Sequence, residues 1–389
     1  MRIWGLALVL TGCGFTGSFG SDAADPGPPT DAAVTAIDAP PGPGSGSDAP
    51  VDGKPEPLCI GTFVRVCVDP PQAALALSTQ RIDTSGSTMC ATYTSTPPTD
   101  ACVITGTQIV IPERTVVTVV GRRPLILLST RDLTISGTLD AASHPDRTGP
   151  AADTGSCAIN FTDPTTNRSG GGWGGSFGGA GGNGGKSPRG VGGVAPSLVT
   201  VTALTGGCAG GNGANNFFGF SAGDGGRSGG AVLLIAAQAV LVDGVVDASG
   251  RGGSPGNGGL GTGGGGGGGG SGGMIVLDAA TVGVPGACFA NGGGGGEGGN
   301  STSGHAGSES PEPDTVGAGG TGGNSTGGTG GAGAFGDTGA SPGRNGSSAS
   351  PLPGNGGGGG AGGGAGVIKV FAPAQSDTDD KGHVAPPPR

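Results

Sequence analysis

The segment Ala231–Gly250, AVLLIAAQAVLVDGVVDASG, decides the fold because closely similar segments occur twice more in the chain. Pro124–Ser143 reads PLILLSTRDLTISGTLDAAS, Gly273–Gly292 reads GMIVLDAATVGVPGACFANG, and both align with it without a gap. One position of the repeat is a glycine in all three copies: Gly137, Gly244 and Gly286. Repeated units of this length stack on one another to bury a common core. The repeat therefore predicts a scaffold.

Each copy divides into three short apolar pieces. In the second copy these are Val232–Ala236, Val240–Asp243 and Val245–Ala248. Val, Ile, Leu and Thr favour strands, and no helical periodicity with capping residues is present. Twenty residues with three strands match one coil of a parallel β-helix. We therefore predict an all-β, parallel β-helix-like solenoid, with an earlier coil at Ile109–Val120 and a partial last coil at Val367–Ala372.

Glycine dominates the rest of the chain, with 96 of 389 residues. The longest runs include Gly263–Gly270, Gly292–Gly296 and Gly356–Gly360, and Ser169–Gly193 repeats a GGx triplet. A triplet fits the three-residue turn of a polyproline II-type helix, and glycine allows such helices to pack closely. Two alternatives follow for these insertions. They form either an ordered, polyglycine II-type lattice or floppy solvated loops.

Aromatic side chains are scattered through the glycine-rich blocks. The residues concerned are Trp173, Phe177, Phe217, Phe218 and Phe220. They are interpreted as pegs packed on an ordered lattice, or alternatively as exposed platforms that stack on sugar rings. The chain has a net charge of −10, and Arg122-Arg123 is its densest basic spot. Nucleic acids and anionic membrane surfaces are therefore poor partners for the molecule as a whole.

The N-terminus has the features of an export signal. Arg2 precedes a short apolar stretch, Ile3–Leu10, which is too short to span a bilayer. Leu10-Thr11-Gly12-Cys13 resembles the lipobox of bacterial lipoproteins. The resemblance implies removal of residues 1–12 and lipidation of Cys13. Gly14 in place of an aspartate favours the outer membrane. Residues 13–57 are rich in Gly, Pro, Ala and Asp and predict a flexible linker.

Seven cysteines remain if Cys13 carries a lipid, and an exported chain sits where disulfides persist. Residues 58–105 are interpreted as a small cap stapled by disulfides, and four cysteines allow three connectivities. The four cap cysteines are Cys59, Cys67, Cys90 and Cys102. A bridge between Cys157 and Cys208 would anchor the first glycine-rich block. Cys288 is expected to be a buried free thiol. Zinc is not expected, because no CxxC pair occurs and the histidines are far apart in sequence.

The combination resembles a group of glycine-rich predicted surface proteins common in myxobacteria. The resemblance covers most of Cys59–Phe371, and the segments that carry it are CIGTFVRVC, RRPLILLSTRDLTISGTLDAASH, GGWGGSFGGAGGNGG, GGCAGG, GGSGGMIVLDA and FANGGGGGEGG. The group has no established activity, so the resemblance implies an exported surface architecture and no particular reaction.

Several enzyme motifs match by chance in a chain this rich in glycine. Ala180–Ser187 fits a loose P-loop pattern around Lys186, but Pro188 follows where a helix should begin. Gly174–Gly178 matches the nucleophile elbow around Ser176 without the required strand and helix. Neither motif is expected to be functional.

Asp140 and Asp247 occupy the same position of the repeat, and stacked coils would bring them together. A pair of carboxylates is what glycoside hydrolysis needs. However, Phe289 takes that position in the third copy, and strand-end aspartates commonly bond to the backbone of the following turn. The structural role is therefore the favoured interpretation of both residues.

These observations predict a non-catalytic, lipid-anchored surface protein with a structural or adhesive role in the bacterial envelope. Residues 106–375 would form the repeat domain and residues 376–389 a disordered tail. No cofactor is expected, and the partners would be the membrane, through the lipid, with polysaccharide or neighbouring surface proteins. The alternatives are a polysaccharide-degrading enzyme using Asp140 and Asp247, and a glycan-binding module using the aromatic residues.

Overall fold

The computed structural model of the protein describes residues 56–154, 157, 160–198, 200–323, 326–348, 355–373 and 384–389. Every regular element in these residues is a β-strand, and none is a helix. The strands are β1 Leu58–Ile60, β2 Arg65–Val68, β3 Leu75–Ala76, β4 Gln80–Asp83, β5 Tyr93–Thr96, β6 Cys102–Gly106, β7 Ile109–Ile111, β8 Val116–Val120, β9 Leu125–Ser129, β10 Asp132–Ile135, β11 Thr138–Asp140, β12 Ala231–Val242, β13 Val245–Asp247, β14 Gly258–Gly259, β15 Thr262–Gly263, β16 Met274–Gly283, β17 Ala287–Phe289, β18 Val367–Phe371 and β19 Val384–Ala385. The predicted signal segment, Cys13 and nearly all of the linker lie outside the described residues.

Two parallel sheets contain most of these strands. The first has the order β18-β16-β12-β10-β7-β3; β9 also pairs with β12, and β6 pairs with β9. The second has the order β19-β17-β13-β11-β8-β4. Their strand pairs are all parallel, so each repeat adds strands beside the equivalent strands of the previous one. The prediction of an all-β fold with parallel pairing is confirmed.

The first two copies of the repeat pair in the register that their sequences predict. Leu125 lies opposite Val232 at the start of the copy, and Asp140 lies opposite Asp247 at its end. The same offset holds in the intermediate strands β10 and β12. Because like residues stack on like residues, one apolar pattern serves both copies.

The third copy departs from the ungapped alignment by one residue in its first strand. Ala231 pairs with Met274, one residue beyond the Gly273 that the sequence alignment matches with it. An irregularity after Ala236 then restores the expected register, in which Ala239 pairs with Thr281. The extra residue of β12 falls at an exposed corner, where a bulge disturbs no core packing.

The core fills the space between the two parallel sheets, and a second apolar layer covers the outside of the first sheet. Leu127, Leu234 and Leu277 point into the inner core. Their neighbours Leu233 and Val276 belong to the outer layer. Burial on both faces explains why these strands are continuous apolar runs with no polar alternation.

Residues 58–105 provide more than a cap. Strands β1, β2 and β5 form a separate antiparallel sheet, while β3, β4 and β6 extend the two parallel sheets. Among the described residues, three disulfides join Cys59 to Cys67, Cys90 to Cys102, and Cys157 to Cys208. Cys288 is a free, buried thiol, and burial raises its pKa to about 12. It packs in the inner core as a small apolar residue.

The glycine-rich insertions form an ordered body, which we call the glycine lattice. Its central segment, residues 264–272, donates each backbone N–H to one of three neighbouring segments in a strict three-residue rotation. Its carbonyl groups accept N–H groups from three further segments. The six surrounding segments are 172–175, 208–214, 223–229, 251–257, 293–299 and 356–364. The floppy-loop alternative therefore does not apply to this part of the chain.

Most positions of the central segment have room for glycine alone. A Cβ atom on Gly268 would lie 1.8 Å from the carbonyl oxygen of Trp173, and one on Gly267 would lie 2.0 Å from that of Asp224. The indole of Trp173 itself fits against Gly193 and Gly211, where a Cβ would meet the ring at 2.7 and 2.5 Å. Close approach of backbones is thus the reason for the glycine content.

The last described residues join the sheets. β19 pairs in parallel with β17, and the N–H of Arg389 donates to the carbonyl of Ile368 at 2.9 Å. Residues 384–389 therefore differ from the disordered tail that the sequence predicts for 376–389. The signal for this strand is weak because it contains two residues before a run of prolines.

Candidate functional site

Asp140 and Asp247 lie on adjacent parallel strands, β11 and β13, as direct partners. Each aspartate ends its strand and accepts a backbone N–H from two residues on, Asp140 from Ala142 at 3.2 Å and Asp247 from Ser249 at 2.8 Å. This is the turn-capping geometry that the favoured interpretation of the sequence describes. The stacking also places two carboxyl groups on neighbouring strands, whose ordinary separation is about 4.8 Å.

Three charged side chains complete a cluster around Asp140, which we call the Asp140 cluster. A tight turn in which His144 and Arg147 bridge backbone to backbone folds both side chains back towards the strand end. Arg147 Nη2 donates to Asp140 Oδ2, and His144 Nε2 lies 3.2 Å from Asp140 Oδ1. Glu309, from the insertion after β17, contacts His144 Nδ1 at 2.6 Å.

The two aspartates differ in acidity because their partners differ. Burial would raise the pKa of Asp140, but the hydrogen bonds and charges of His144 and Arg147 outweigh it and lower that pKa below its ordinary value. Hydrogen bonds to Asp140 and Glu309 raise the pKa of His144 to about 10. Burial, opposed by the Ser249 hydrogen bonds and assisted by the charge of Asp140, raises the pKa of Asp247 to about 7.

A pair of carboxyl groups with separated pKa values has the form of an acid and a base. In this cluster, however, both oxygens of Asp140 are engaged by cations, and His144 lies between two carboxylates. The Asp140 side chain is only 11% exposed. The arrangement is an internal ion-pair network that joins the end of β11 to the insertion carrying Glu309. Both oxygens of Asp140 are used in these structural contacts.

Sequence reasoning identified the two aspartates and missed the three residues around them. Asp140, His144 and Arg147 fall within eight residues, so their clustering was available from local spacing alone. Glu309 lies 165 residues from His144, and no pattern in the sequence connects them. Because the insertions between repeats are long, the sequence does not indicate which insertion contacts which strand end.

The structure separates the predicted stacking residues into two groups. Phe177 is 1% exposed and Trp173 is 9% exposed, so neither presents a ring face to a ligand. They are buried pegs, and their prediction as stacking platforms is corrected. Phe217 and Phe218 are 78% and 67% exposed. Phe220 lies over Gly259, where an added Cβ would meet its ring at 2.7 Å.

A groove on the surface of the glycine lattice has a volume of about 650 Å³. Polar side chains line it, with an edge of Trp173 in one wall; they include Asp163, Asn167, Asn212, Asn215, Ser221 and Asp224. The amide oxygens of Asn212 and Asn215 accept N–H groups of Gly225 and Ala222, each at 2.8 Å, which holds both side chains in place.

Two motifs that match enzyme patterns have structural roles. Ser176 is fully buried, and its hydroxyl accepts the N–H of Gly181 at 2.9 Å, so it is not an accessible nucleophile. Lys186 begins a turn in which Ser187 bridges to Gly190, and no helix opens after it. In the described residues, no group of three His, Cys, Asp or Glu side chains is arranged to hold a metal ion.

Comparison with known proteins adds no assignment. No protein-family model matches the chain, and neither the curated proteins nor the solved structures include a significant match. Among the described residues, no helix is long and apolar enough to cross a membrane.

Proposed function

We propose that the protein is a lipid-anchored, non-catalytic component of the bacterial cell surface with a structural or adhesive role. The observation that supports this most strongly is the central lattice segment, whose every residue from 264 to 272 hydrogen-bonds to a neighbouring segment. A body built from interlocked backbones is stiff and has little freedom for the loop closure that many enzymes use. Such a body is well suited to holding surface loops at a fixed distance from an anchor.

The architecture in this proposal is a short parallel β-solenoid with polyglycine II-type packing in its insertions. Stacked, in-register strands in two parallel sheets support the solenoid. The three-residue rotation of hydrogen bonds supports the packing type, since polyproline II-type helices have three residues per turn.

The location in the proposal is the outer surface, with a lipid on Cys13. Three disulfides indicate an oxidising compartment outside the cytoplasm. The lipobox-like Leu10–Cys13 and the long linker supply the remaining argument. A linker of this composition would let the rigid body stand away from the membrane.

The full chain, displayed on a non-adherent Gram-negative host, is expected to increase cell–cell or cell–matrix adhesion. Cys13→Ala should abolish that gain because the protein is no longer anchored. Asp247→Asn should leave it unchanged, since the proposal assigns no proton transfer to this carboxyl group. Adhesion is measured by sedimentation and surface retention, with surface amounts checked by antibody.

Two results would contradict the proposal. One is the absence of any adhesion by properly displayed wild-type protein. The other is loss of adhesion in Asp247→Asn, at equal surface amounts and with release of sugar from a polysaccharide by the wild type only. That second pattern would support the polysaccharide-degrading alternative.

A second candidate function is glycan binding in the lattice groove, and the groove's lining favours it. Fixed amide groups and two carboxylates, Asp163 and Asp224, are suited to hydroxyl groups, and no Lys or Arg lines the groove. A neutral or cationic glycan therefore fits better than an acidic one. Trp173 is buried and contributes only an edge of its ring to the wall of the groove, so it offers no face for a sugar to stack on.

Asp224→Ala is expected to weaken binding of a neutral oligosaccharide about tenfold, the effect of losing a charge-assisted hydrogen bond. Binding is measured by glycan array and then by calorimetry on the best ligand. Asp243→Ala, an exposed carboxylate outside the groove, is the matched control. Equal affinities for the two variants would exclude the groove as the binding site. Trp173→Ala is unsuitable here because the indole is buried in the lattice.

A further inference from the structure

Two neighbouring loops end the glycine lattice on the side away from the sheets. The first is a tight turn of residues 216–220, closed by the amide oxygen of Asn216, which accepts the N–H of Phe220 at 2.8 Å. The second is the hairpin of β14 and β15, residues 258–263. Asn216 Nδ2 donates to Thr262 Oγ1 at 3.2 Å, which ties the two loops together. We call Phe217, Phe218 and Leu260, which these loops carry, the distal tip.

The distal tip exposes three large apolar side chains. Leu260 is 93% exposed, and the two phenylalanines are exposed over most of their surface. The rings of Phe217 and Phe218 meet edge to face, with centroids 5.8 Å apart, so they form one wedge. Leu260 also has a φ of 53°, a conformation that is unfavourable for a residue with a Cβ. Apolar groups grouped in this way mark a surface that meets a partner.

The surface beside the wedge is basic. A shallow pocket under Phe217 and Phe218 is also lined by Arg168 and Arg189, and by no carboxylate. Arg168 Nη1 donates to the carbonyl of Arg189 at 3.5 Å, which keeps the two arginines together. The carboxylates Asp163 and Asp224 line the adjoining groove instead. The distal tip thus has a local charge opposite to the net charge of the chain.

The position of the distal tip is opposite to the place where the chain enters the folded body. The hairpin ends at Gly263 and the sheet begins at Met274, a run of about 34 Å at ~3.1 Å per residue. The chain enters the folded body beside Asp278, which lies within β16 and therefore beyond the sheet end of that run. The carboxylate of Asp278 accepts the N–H of Phe63 at 3.1 Å. A body tethered through its N-terminus therefore carries the distal tip outward.

We propose that the distal tip inserts into the surface of a phospholipid bilayer, with Arg168 and Arg189 at the level of the headgroup phosphates. Transfer of an aliphatic side chain such as Leu260 from water into hydrocarbon is favourable. The same side chain cannot form a hydrogen bond with a sugar hydroxyl. Guanidinium groups beside it match phosphate geometry. A second copy of the same tip is a poorer partner because the basic pairs would repel each other. The inference deepens the adhesive function proposed above and rests on it.

Vesicle binding tests this inference directly. The probe is zwitterionic vesicles of phosphatidylcholine and phosphatidylethanolamine, chosen because the net charge of −10 opposes anionic surfaces. The protein is the mature chain without its lipidated first residue, residues 14–389, exported so that its disulfides form. Phe217→Ser/Phe218→Ser/Leu260→Ser is expected to weaken binding tenfold or more, since each apolar side chain contributes. Arg168→Gln/Arg189→Gln should weaken it severalfold. Leu198→Ser, an exposed apolar residue elsewhere, should have no effect.

Each result bears on the inference. Vesicle binding by the parent chain that is lost in the triple variant and kept in Leu198→Ser supports it. No vesicle binding by the parent chain, or equal binding by the triple variant, overturns it. Binding of the tip to a soluble glycan without vesicles, or tip-dependent dimerisation in light scattering, also overturns it. Cell adhesion that persists when vesicle binding fails would leave the adhesive function standing and refute only the lipid partner.

Discussion

Gly268→Ala is expected to lower the free energy of unfolding by about 4 kcal/mol or more, one of the largest effects of any single methyl group in this chain. The new Cβ would lie 1.8 Å from the carbonyl oxygen of Trp173. Relief requires a neighbouring segment to withdraw by roughly 1.5 Å to normal contact. Withdrawal of the 172–175 segment, which carries that carbonyl, breaks the bonds from Gly172 N–H to Gly266 O at 2.8 Å and from Gly175 N–H to Gly269 O at 3.0 Å. The measurement is denaturant unfolding with disulfides intact.

Gly339→Ala is the matched control. A Cβ at Gly339 would meet nothing within 4 Å, and its φ is outside the range that favours glycine. The same substitution should therefore change stability by less than about 1 kcal/mol, in the stabilising direction if at all. Similar losses in the two variants would mean that general glycine entropy, and not close packing, explains the composition. Similar stability in both would contradict the lattice itself.

The contrast between these glycines shows what the sequence can specify. The GGx triplets predict a three-residue period, and the central segment has it. The identity of the six neighbouring segments was not predictable, because a run of glycines carries no side chains to distinguish one neighbour from another. The partners are set instead by the apolar strands at the ends of the runs. Gly272, for example, is followed closely by β16, whose register is fixed by the core.

The apolar repeats were more informative because their side chains select a register. The alignment of Leu125 with Val232 and of Asp140 with Asp247 is the pairing observed. It fails by one residue between Ala231 and Met274, since an extra residue at an exposed corner leaves no trace in the apolar pattern. For the charged cluster, the strand-end aspartates were predictable, while Glu309 depends on the path of a long insertion.

Asp140→Asn is expected to lower the free energy of unfolding by about 2 to 3 kcal/mol at pH 7. Removing the charge leaves the Arg147 guanidinium and the protonated His144 without the carboxylate that they share. Arg147 Nε is already buried without a hydrogen-bond partner, so the site has no spare acceptor for it. Partial exposure of the two cations keeps the cost below that of a fully buried pair. The measurement is again denaturant unfolding, here across pH.

Asp247→Asn, at the adjacent strand end, should raise the free energy of unfolding. The pKa of Asp247 is raised to about 7 from an ordinary 3.8, so the folded state holds a proton that the unfolded chain releases. Wild-type stability therefore falls as pH rises from about 4 to 7 through this group. An amide avoids that loss and still accepts the Ser249 N–H. A gain of about 1 kcal/mol at pH 8 is expected, after allowance for the partial exposure of the side chain.

The pH profile separates these two groups from His144. The pKa of His144 is raised from 6.5 to about 10, so its contribution is complete below pH 6.5 and is lost as pH rises towards 10. The lowered pKa of Asp140 keeps the network intact until acid pH. His144→Asn should therefore flatten the stability curve between pH 7 and 10, whereas Asp247→Asn should flatten it between 4 and 7. If Asp247→Asn instead destabilises the protein as much as Asp140→Asn does, the two carboxylates act as one charged pair. The argument that Asp140 alone anchors the cluster would then fail, and the polysaccharide-degrading alternative would regain its central observation.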